Sequence, residues 1–317
     1  MNHPLHIETP LIESRALSLH AGRTIWLKMD ALQPTGSFKI RGIGLACQEY
    51  IRRGAKRLIS SSGGNAGIAV AYAGRRLAVP VVVVVPHTTT ERAKTLIRQE
   101  GAEVIVFGAS WQDANALARK MVQATDAFLH PFDDPLLWQG HATMIDEVAR
   151  SGSKPDAVIL SVGGGGLLCG VVEGLRRNDW GDVPVITVET HGADSFAQSV
   201  QAGQRIELSA ICSLATSLGA KRVCEQAFRL SQEYPIQPLV VTDRSAVHAC
   251  ESFISDQRVL VEPACGAALA AVYDRRAELE PYHSLLVIVC GGVTTTLEQI
   301  QLWSHQYAKD AEPAHSA

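Results

Sequence analysis

Short runs of apolar residues alternate along the chain with longer segments in which apolar residues recur every three or four positions. The run Val81 to Val85 is apolar at every position, which is typical of a strand covered on both faces by helices. Such runs occur at 57–60, 80–86, 103–107, 157–161, 184–188, 239–242 and 284–290. The helix-like segments are 40–50, 65–77, 90–100, 167–177 and 245–255. This order predicts an α/β protein with two doubly wound, mostly parallel sheets.

The alternation is interrupted once, at Pro131-Phe-Asp-Asp-Pro135, between the two halves of the pattern. A chain of 317 residues is long enough for two hydrophobic cores. We therefore expect two domains. The large one combines residues 1–31 and 135–317, and the small one, 32–134, is inserted in it.

The charge and the lengths of the apolar runs bear on whether the chain binds nucleic acid or a membrane. The formal net charge is −3 and the basic residues are scattered, so the chain offers no basic face for nucleic acid or an anionic membrane. The apolar run 79–86 is too short to cross a bilayer, and the first residues lack the features of a signal peptide. We expect a cytoplasmic protein with no nucleic-acid or membrane partner.

The cysteines and histidines show no metal-binding spacing. The seven cysteines include no CxxC pair and lie mostly in apolar runs, which predicts reduced, buried thiols. The eleven histidines form no HExxH pattern and do not cluster with cysteines. We expect no transition metal.

One lysine has a position suited to covalent chemistry. Lys39 follows the turn Pro34-Thr-Gly-Ser37 and precedes the helix-like segment 40–50. Thr35 and Ser37 are candidate helix caps, and the positive end of the helix would favour the neutral, nucleophilic amine. For an isolated lysine a solvated surface position would be the simpler interpretation. Three other stretches support a chemical role.

Two of these stretches are small-residue loops between a strand and a helix. They are Ser60-Ser-Ser-Gly-Gly-Asn-Ala-Gly67 and Gly163 to Gly166. Backbone N–H groups at such a helix start can bind an anion such as phosphate. Taken singly, helix capping by Ser62 and Asn65 or close packing of the glycines explains them as well. The spacing is not GxGxxG, so NAD binding is a poorer interpretation.

The third stretch ends the last apolar run. Cys290 is followed by Gly291 and Gly292, which places its thiol at the carboxyl end of a strand, where α/β proteins form their sites. On its own, Cys290 would be interpreted as a small core residue.

Together and in this order, the stretches resemble the fold type II pyridoxal-phosphate enzymes, the tryptophan-synthase-β-like family, over nearly the whole chain. Pro34-Thr-Gly-Ser-Phe-Lys39 resembles the family's cofactor-lysine motif. Ser62-Gly-Gly-Asn-Ala-Gly67 resembles its substrate loop, and Gly163 to Gly166 its phosphate loop.

Within that family the chain is most similar to the serine/threonine ammonia-lyases. Phe38-Lys-Ile-Arg-Gly42 carries Ile40 where threonine synthases and cysteine synthases usually have aspartate. The stretches 161–172, 261–273 and 289–292 are similar to the animal-type branch of L-serine dehydratases.

The resemblance implies that Lys39 is catalytic and holds pyridoxal 5′-phosphate covalently, and that the large domain binds this cofactor. The implied cofactor-binding residues are Phe38, Lys39, Asn65, Gly163, Gly164, Gly165, Gly166, Leu167 and Cys290. The implied substrate-binding residues are Ser62, Gly63 and Asn65. Gly63 departs from the pattern, because several relatives have alanine there, and this affects substrate packing.

The segment after the strand 184–188 resembles the family's ion site. It implies a cation held by Glu189, by the backbone of Ala193 and by carbonyls of Leu218 and Ala220. Ser195 stands where racemases that take a divalent ion have aspartate. The lower charge predicts a monovalent cation such as potassium. The alternative is that Glu189 is an ordinary carboxylate at a strand end.

The activity that the resemblance implies is β-elimination of water from L-serine, giving pyruvate and ammonia, and from L-threonine, giving 2-oxobutanoate. Serine racemase or 3-hydroxyaspartate ammonia-lyase activity would use the same motifs. An alternative of another class is a non-catalytic module that binds pyridoxal phosphate or a nucleotide. We expect an amino-acid substrate and a homodimer.

Overall fold

The computed structural model describes residues 3–309. The chain forms two compact units. Among the described residues, the first unit contains 3–9, 32–154 and 165–181, and the second contains 10–31, 155–164 and 182–309. Each unit has its own sheet.

Within residues 3–309 the strands are β1 (Leu11–Glu13), β2 (Thr24–Lys28), β3 (Arg57–Ser60), β4 (Val81–Val85), β5 (Glu103–Val106), β6 (Asp126–Leu129), β7 (Ala157–Ser161), β8 (Val185–Thr190), β9 (Ile236–Val241) and β10 (Ser284–Ile288). The helices are α1 (Arg15–Ala21), α2 (Lys39–Arg52), α3 (Asn65–Leu77), α4 (Glu91–Gln99), α5 (Trp111–Lys120), α6 (Pro135–Arg150), α7 (Gly166–Arg177), α8 (Ser195–Ala202), α9 (Glu225–Glu233), α10 (Asp243–Gln257), α11 (Pro263–Tyr273) and α12 (Leu297–Lys309).

The first unit has a four-stranded sheet in the order β5-β4-β3-β6, and every neighbouring pair is parallel. All five valines of β4 are buried, as expected for a strand inside an α/β layer. Helix α5 packs on one face of this sheet through Ala114 and Ala118, against Ile59 and Val84.

Helices α2, α6 and α7 of the first unit pack closely because glycines face their neighbours. A Cβ atom on Gly42 would lie 2.5 Å from the Leu137 carbonyl oxygen, and one on Gly170 would lie 2.9 Å from the Trp138 carbonyl oxygen. Arg41 of α2 and Glu147 of α6 form a buried ion pair at 2.6 Å. These contacts hold the start of α2 against α6.

The second unit has a six-stranded sheet in the order β1-β2-β10-β7-β8-β9. Only the edge strand β1 is antiparallel, since it pairs with β2 as a neighbour in sequence. Helix α11 packs against β7 and β8, and its residues from Pro263 to Val272 are all buried. An apolar residue on every side of a helix is what such full burial requires.

Two mostly parallel sheets confirm the predicted fold class. All strands of one sheet lie within 32–134, and all strands of the other lie within 1–31 and 135–317. Helices α6 and α7 belong to the first unit, although the expected domain limits assign them to the large domain. We keep 32–134 as our proposal for the inserted domain because it contains one complete sheet.

Candidate active site

Lys39 is the first residue of α2. Its Nζ donates a hydrogen bond to the Pro131 carbonyl oxygen at 2.8 Å and lies 5.0 Å from the centroid of the Phe38 ring. Phe38 occupies the N-cap position, and no side chain caps this helix. The amine is therefore positioned by a residue 92 places later in the chain.

The predicted caps of α2 are wrong. The Thr35 hydroxyl donates to the Ser37 carbonyl oxygen at 3.4 Å rather than accepting an N–H of the helix. The Ser37 hydroxyl is buried and has no hydrogen-bond partner among residues 3–309. A buried hydroxyl without a partner is costly, by about 1–3 kcal/mol. Its presence two residues before Lys39 indicates a place for a polar ligand.

Helix α3 also begins without a side-chain cap. Its N-cap is Gly64, and Asn65 is its first residue and is buried. The Ser62 hydroxyl accepts the Gly64 N–H at 3.3 Å. The alternative interpretation, in which Ser62 and Asn65 cap this helix, is therefore wrong. A Cβ atom on Gly63 would lie 2.6 Å from the Thr89 hydroxyl oxygen, so an alanine there requires Thr89 to move.

The glycine loop before α7 provides backbone donors. Gly165 is the N-cap, with a φ of 94°, and no side chain caps the helix. The N–H groups of Gly163, Gly164 and Gly165 donate to no described residue. Open donors at the start of a twelve-residue helix suit an anion. Helices α4, α5 and α6, by contrast, are each capped by a side chain, from Thr90, Ser110 and Asp134 respectively.

A two-residue segment links the lysine to the start of α7. Pro131 accepts from Lys39, and the next residue, Phe132, lies against Gly166, where a Cβ atom would be 2.6 Å from the Phe132 carbonyl oxygen. The Trp138 indole N–H donates to the same carbonyl at 2.9 Å. Within the first unit the structure thus brings together Lys39 and the start of α7, where Leu167 is the second residue.

Two histidines near Lys39 were missed by the sequence motifs. The buried ring of His141 stacks at a tilt on Phe38, with centroids 4.8 Å apart, and neither ring nitrogen has a partner among the described residues. Burial, reinforced by the nearby cations Lys39 and Arg41, holds the pKa of His141 well below its usual range. It is a neutral ring behind Phe38.

His130 is the second. It directly follows β6, and burial, with smaller effects of Arg119 and Lys39, lowers the pKa of its imidazole to about 4. A position just after a parallel strand is where α/β proteins place functional residues, but the strand 126–129 that precedes His130 was not among the predicted runs. The segment beginning at Pro131 was interpreted instead only as a break in the pattern.

In the second unit, Cys290 follows β10 and is 7% exposed. Gly291 and Gly292 have φ values of 86° and 118°, which favour glycine. The Glu262 side chain lies against Gly292 and accepts a hydrogen bond from the Thr294 hydroxyl at 2.9 Å. The thiol is therefore at the carboxyl end of a central strand, as predicted.

The cysteines are otherwise as expected, with one exception. Residues 47, 169, 224, 250, 265 and 290 are buried, whereas Cys212 is exposed, so the prediction of burial is wrong for that residue. None of the seven forms a disulfide within residues 3–309.

The proposed cation residues lie in the second unit. Glu189 is the penultimate residue of β8, and its two carboxyl oxygens accept the N–H groups of Phe196 at 3.0 Å and Ala197 at 2.7 Å. Burial raises the pKa of Glu189 to about 8, despite these two bonds. The carboxyl group therefore contacts the first turn of α8, and its burial favours the protonated form.

The residues predicted to supply carbonyl oxygens to the cation lie in closely packed segments of the same unit. The Ala220 N–H donates to the Leu218 carbonyl at 2.7 Å, and a Cβ atom on Gly163 would lie 3.0 Å from the Leu218 Cα. Ala193 is fully buried. Residues 3–309 contain no group of three or more His, Cys, Asp or Glu side chains that could hold a metal ion. No helix in that range is long and apolar enough to span a membrane.

Comparison with known proteins gives consistent results. Residues 3–291 match the family model described as pyridoxal-phosphate dependent enzyme. The chain is 48% identical, over 96% of both sequences, to L-serine dehydratase/L-threonine deaminase from Homo sapiens.

Two solved structures are also similar. An L-serine ammonia-lyase from the fungus Rhizomucor miehei has a TM-score of 0.92 and 37% identity, over 96% of this chain and 100% of that one. Maize serine racemase has a TM-score of 0.85 and 25% identity, over 96% and 93%.

Proposed function

Because this chain belongs to the family of pyridoxal-phosphate dependent enzymes, we propose that it is an L-serine ammonia-lyase, which converts L-serine to pyruvate and ammonia. L-Threonine, giving 2-oxobutanoate, is the second substrate. The observation that carries the proposal is the 48% identity, over 96% of both chains, to an L-serine dehydratase/L-threonine deaminase. The position of Lys39 supports a lyase rather than a binding module.

The residues present fit pyridoxal phosphate. Helices α2, α3 and α7 begin without side-chain caps, and the N–H groups of Gly163 to Gly165 donate to no described residue. The buried Ser37 hydroxyl without a partner, two residues before Lys39, is a further polar group that a ligand would satisfy. An anionic phosphate on a polar aromatic ring matches such a donor set.

Each predicted residue then has a role toward the cofactor. Gly163 to Gly166 and Leu167 would hold the phosphate. Lys39 would form the covalent bond to the cofactor, and Phe38 would pack against one face of its ring. Asn65 would bond the ring hydroxyl, and Cys290 would face the pyridine nitrogen.

When bound, the cofactor supplies an electron sink that makes the α-proton of the amino acid acidic. The residues of the chain supply the rest. Once its amine is released from the cofactor, Lys39, at the start of α2, would remove the α-proton as a general base. Ser62, the backbone at Gly63 and Asn65 bind the substrate carboxylate at the positive end of α3, which sets the orientation in which the hydroxyl is lost.

A keto-acid assay with L-serine, L-threonine, D-serine and 3-hydroxyaspartate tests this function. We expect pyruvate from L-serine at the highest kcat/KM. Inversion of serine faster than its elimination would indicate a racemase, an alternative that the similarity to maize serine racemase supports for the fold. Preference for 3-hydroxyaspartate would indicate the other lyase.

Spectroscopy separates an enzyme from a binding module. A yellow protein that loses its colour with borohydride, and gains mass on the peptide containing Lys39, carries the cofactor on that lysine. A colourless protein that binds nucleotide would support the module instead.

Three further proposals accompany this function. The cation near Glu189, Ala193, Leu218 and Ala220 is monovalent, with potassium as the best candidate. The assembly is a homodimer, which light scattering on a size-exclusion column can test. The protein acts in the cytoplasm on free amino acids, and fractionation of cells can test this.

A further inference from the structure

The hydrogen bond between Lys39 and Pro131 requires that one carbonyl be held in a fixed direction. The Lys39 Nζ lies 2.8 Å from the Pro131 oxygen. Proline has no N–H group, so Pro131 cannot fix its own nitrogen by a hydrogen bond. The direction of its carbonyl is therefore set by the peptide group that joins Pro131 to Phe132, which contains this carbonyl and the Phe132 N–H.

The peptide that joins Pro131 to Phe132 is trans, since residues 3–309 contain no cis peptide bond. In a planar trans peptide the carbonyl and the following N–H point in opposite directions. Whatever accepts the Phe132 N–H therefore aims the Pro131 carbonyl the other way, toward Lys39.

The acceptor is His130. Its Nδ1 accepts the Phe132 N–H at 3.3 Å and the Asp133 N–H at 2.8 Å. The His130 ring also packs edge-on against the Phe132 ring, with centroids 4.7 Å apart. One imidazole thus holds both N–H groups that follow Pro131.

This role requires a neutral imidazole with its lone pair on Nδ1 and its proton on Nε2. Burial, with Arg119 and Lys39 nearby, lowers the His130 pKa to about 4, so the ring is neutral at neutral pH. The anchor then works without a change of charge during turnover.

We propose that His130 is a positioning residue for the Lys39 amine, acting through the Phe132 N–H and the Pro131 carbonyl. The inference deepens the proposed function. It rests on that function only for the measurement of turnover. His130 itself touches no reacting atom in this scheme. It sets where the amine stands when it takes or returns a proton.

The test compares two variants at position 130 with a control variant at position 87. His130→Leu removes the acceptor, whereas His130→Asn restores one, because an asparagine oxygen accepts the N–H two residues later in an Asx turn. His87→Leu is the matched control, since His87 is an exposed histidine of the same unit. If His130→Leu does not fold, His130→Gln replaces it, because its amide oxygen stands one bond too far out for that turn.

Two measurements are made. On the holoenzyme we expect His130→Leu to lower kcat for L-serine about tenfold with KM within about twofold. On the full chain freed of cofactor, we expect cyanate to modify Lys39 about threefold faster, relative to the exposed Lys56, because the amine is no longer held. His130→Asn and His87→Leu should stay within about twofold of the parent in both.

The proposal is overturned if a folded His130→Leu protein, or its Gln replacement, keeps the parent value of either quantity, or if His130→Asn behaves like His130→Leu. The cyanate measurement does not depend on the reaction. A chain that fails to deaminate serine would disprove the proposed function, while the labelling of Lys39 would still decide the role of His130.

Discussion

The carboxylate of Glu189, at the end of β8, accepts the backbone N–H of Phe196 in the first turn of α8 at 3.0 Å. This contact makes Glu189 a helix cap reached from a neighbouring strand. The carboxyl group is buried, and burial raises its pKa to about 8. The charge on this helix cap therefore changes with pH.

We predict that Glu189 makes folding stability fall as pH rises. Its pKa is raised from about 4.5 to about 8 on folding, so the stabilisation is complete below 4.5 and is lost as pH rises toward 8. The thermal midpoint of the parent protein should therefore fall relative to that of Glu189→Gln between these pH values, in a buffer with only a bulky organic cation. Parallel midpoints of the two proteins would contradict the assigned shift.

Potassium provides a second prediction at the same residue. A cation bound at Glu189 would favour its ionised form, and a cage of neutral carbonyls with one carboxylate suits a monovalent ion. Replacing potassium by a bulky organic cation should lower kcat several-fold, and restoring potassium should reverse the loss. Activity that does not respond to this exchange would leave Glu189 as a helix cap only.

The change Lys39→Ala should lower turnover by on the order of a thousandfold or more, because no neighbouring amine can replace it as anchor and base. The free energy of unfolding should change by less than about 1 kcal/mol, since the side chain is only partly buried. Lys56→Ala, at an exposed lysine, is the control and should keep full activity. Pyruvate formation and urea unfolding are the measurements, and a folded, active Lys39→Ala protein would refute the assignment.

Gly42→Ala tests the packing that supports the lysine. The added methyl would meet the Leu137 carbonyl oxygen at 2.5 Å and the His141 Cε1 at 2.6 Å, and the backbone cannot move away cheaply. We expect a loss of about 2–3 kcal/mol in the free energy of unfolding, measured by urea denaturation. Gly181→Ala is the control, because no atom lies within 4 Å of its added Cβ. Equal urea midpoints for the two variants would show that α2 can shift freely against α6.

Cys290→Asp tests the proposed contact with the cofactor ring. A thiol donates only a weak hydrogen bond, whereas a carboxylate would hold a proton on the ring nitrogen and so strengthen the electron sink. Elimination should then become slower, and the rates of α-proton exchange and transamination should increase relative to it. The measurement is the ratio of pyruvate formed to deuterium in recovered serine, with Cys290→Ser as the control for loss of the thiol. The same ratio in a folded, cofactor-loaded Cys290→Asp protein would make Cys290 a core residue only.

Much of the fold was predictable because it depends on local pattern. The helix 65–77 and the strands 57–60 and 157–161 have the predicted bounds. A strand with five consecutive apolar residues is typical of a parallel sheet covered on both faces. The sequence of β4 therefore also predicted that helices cover both faces of its sheet. By contrast α11, from Pro263 to Tyr273, was not predicted as a helix, because its uniform burial leaves no amphipathic period.

The candidate site divides in the same way. The sequence alone determined that Lys39, the loop 62–67, the glycine loop and Cys290 follow strands or begin helices, since turn chemistry and periodicity are properties of neighbouring residues. Only the tertiary structure decided that Thr35 and Ser37 leave α2 uncapped, that His141 backs Phe38, and that Pro131 receives the Lys39 amine. Such contacts join residues as far apart as 92 positions. They depend on how helices and strands pack, and no local pattern encodes that packing.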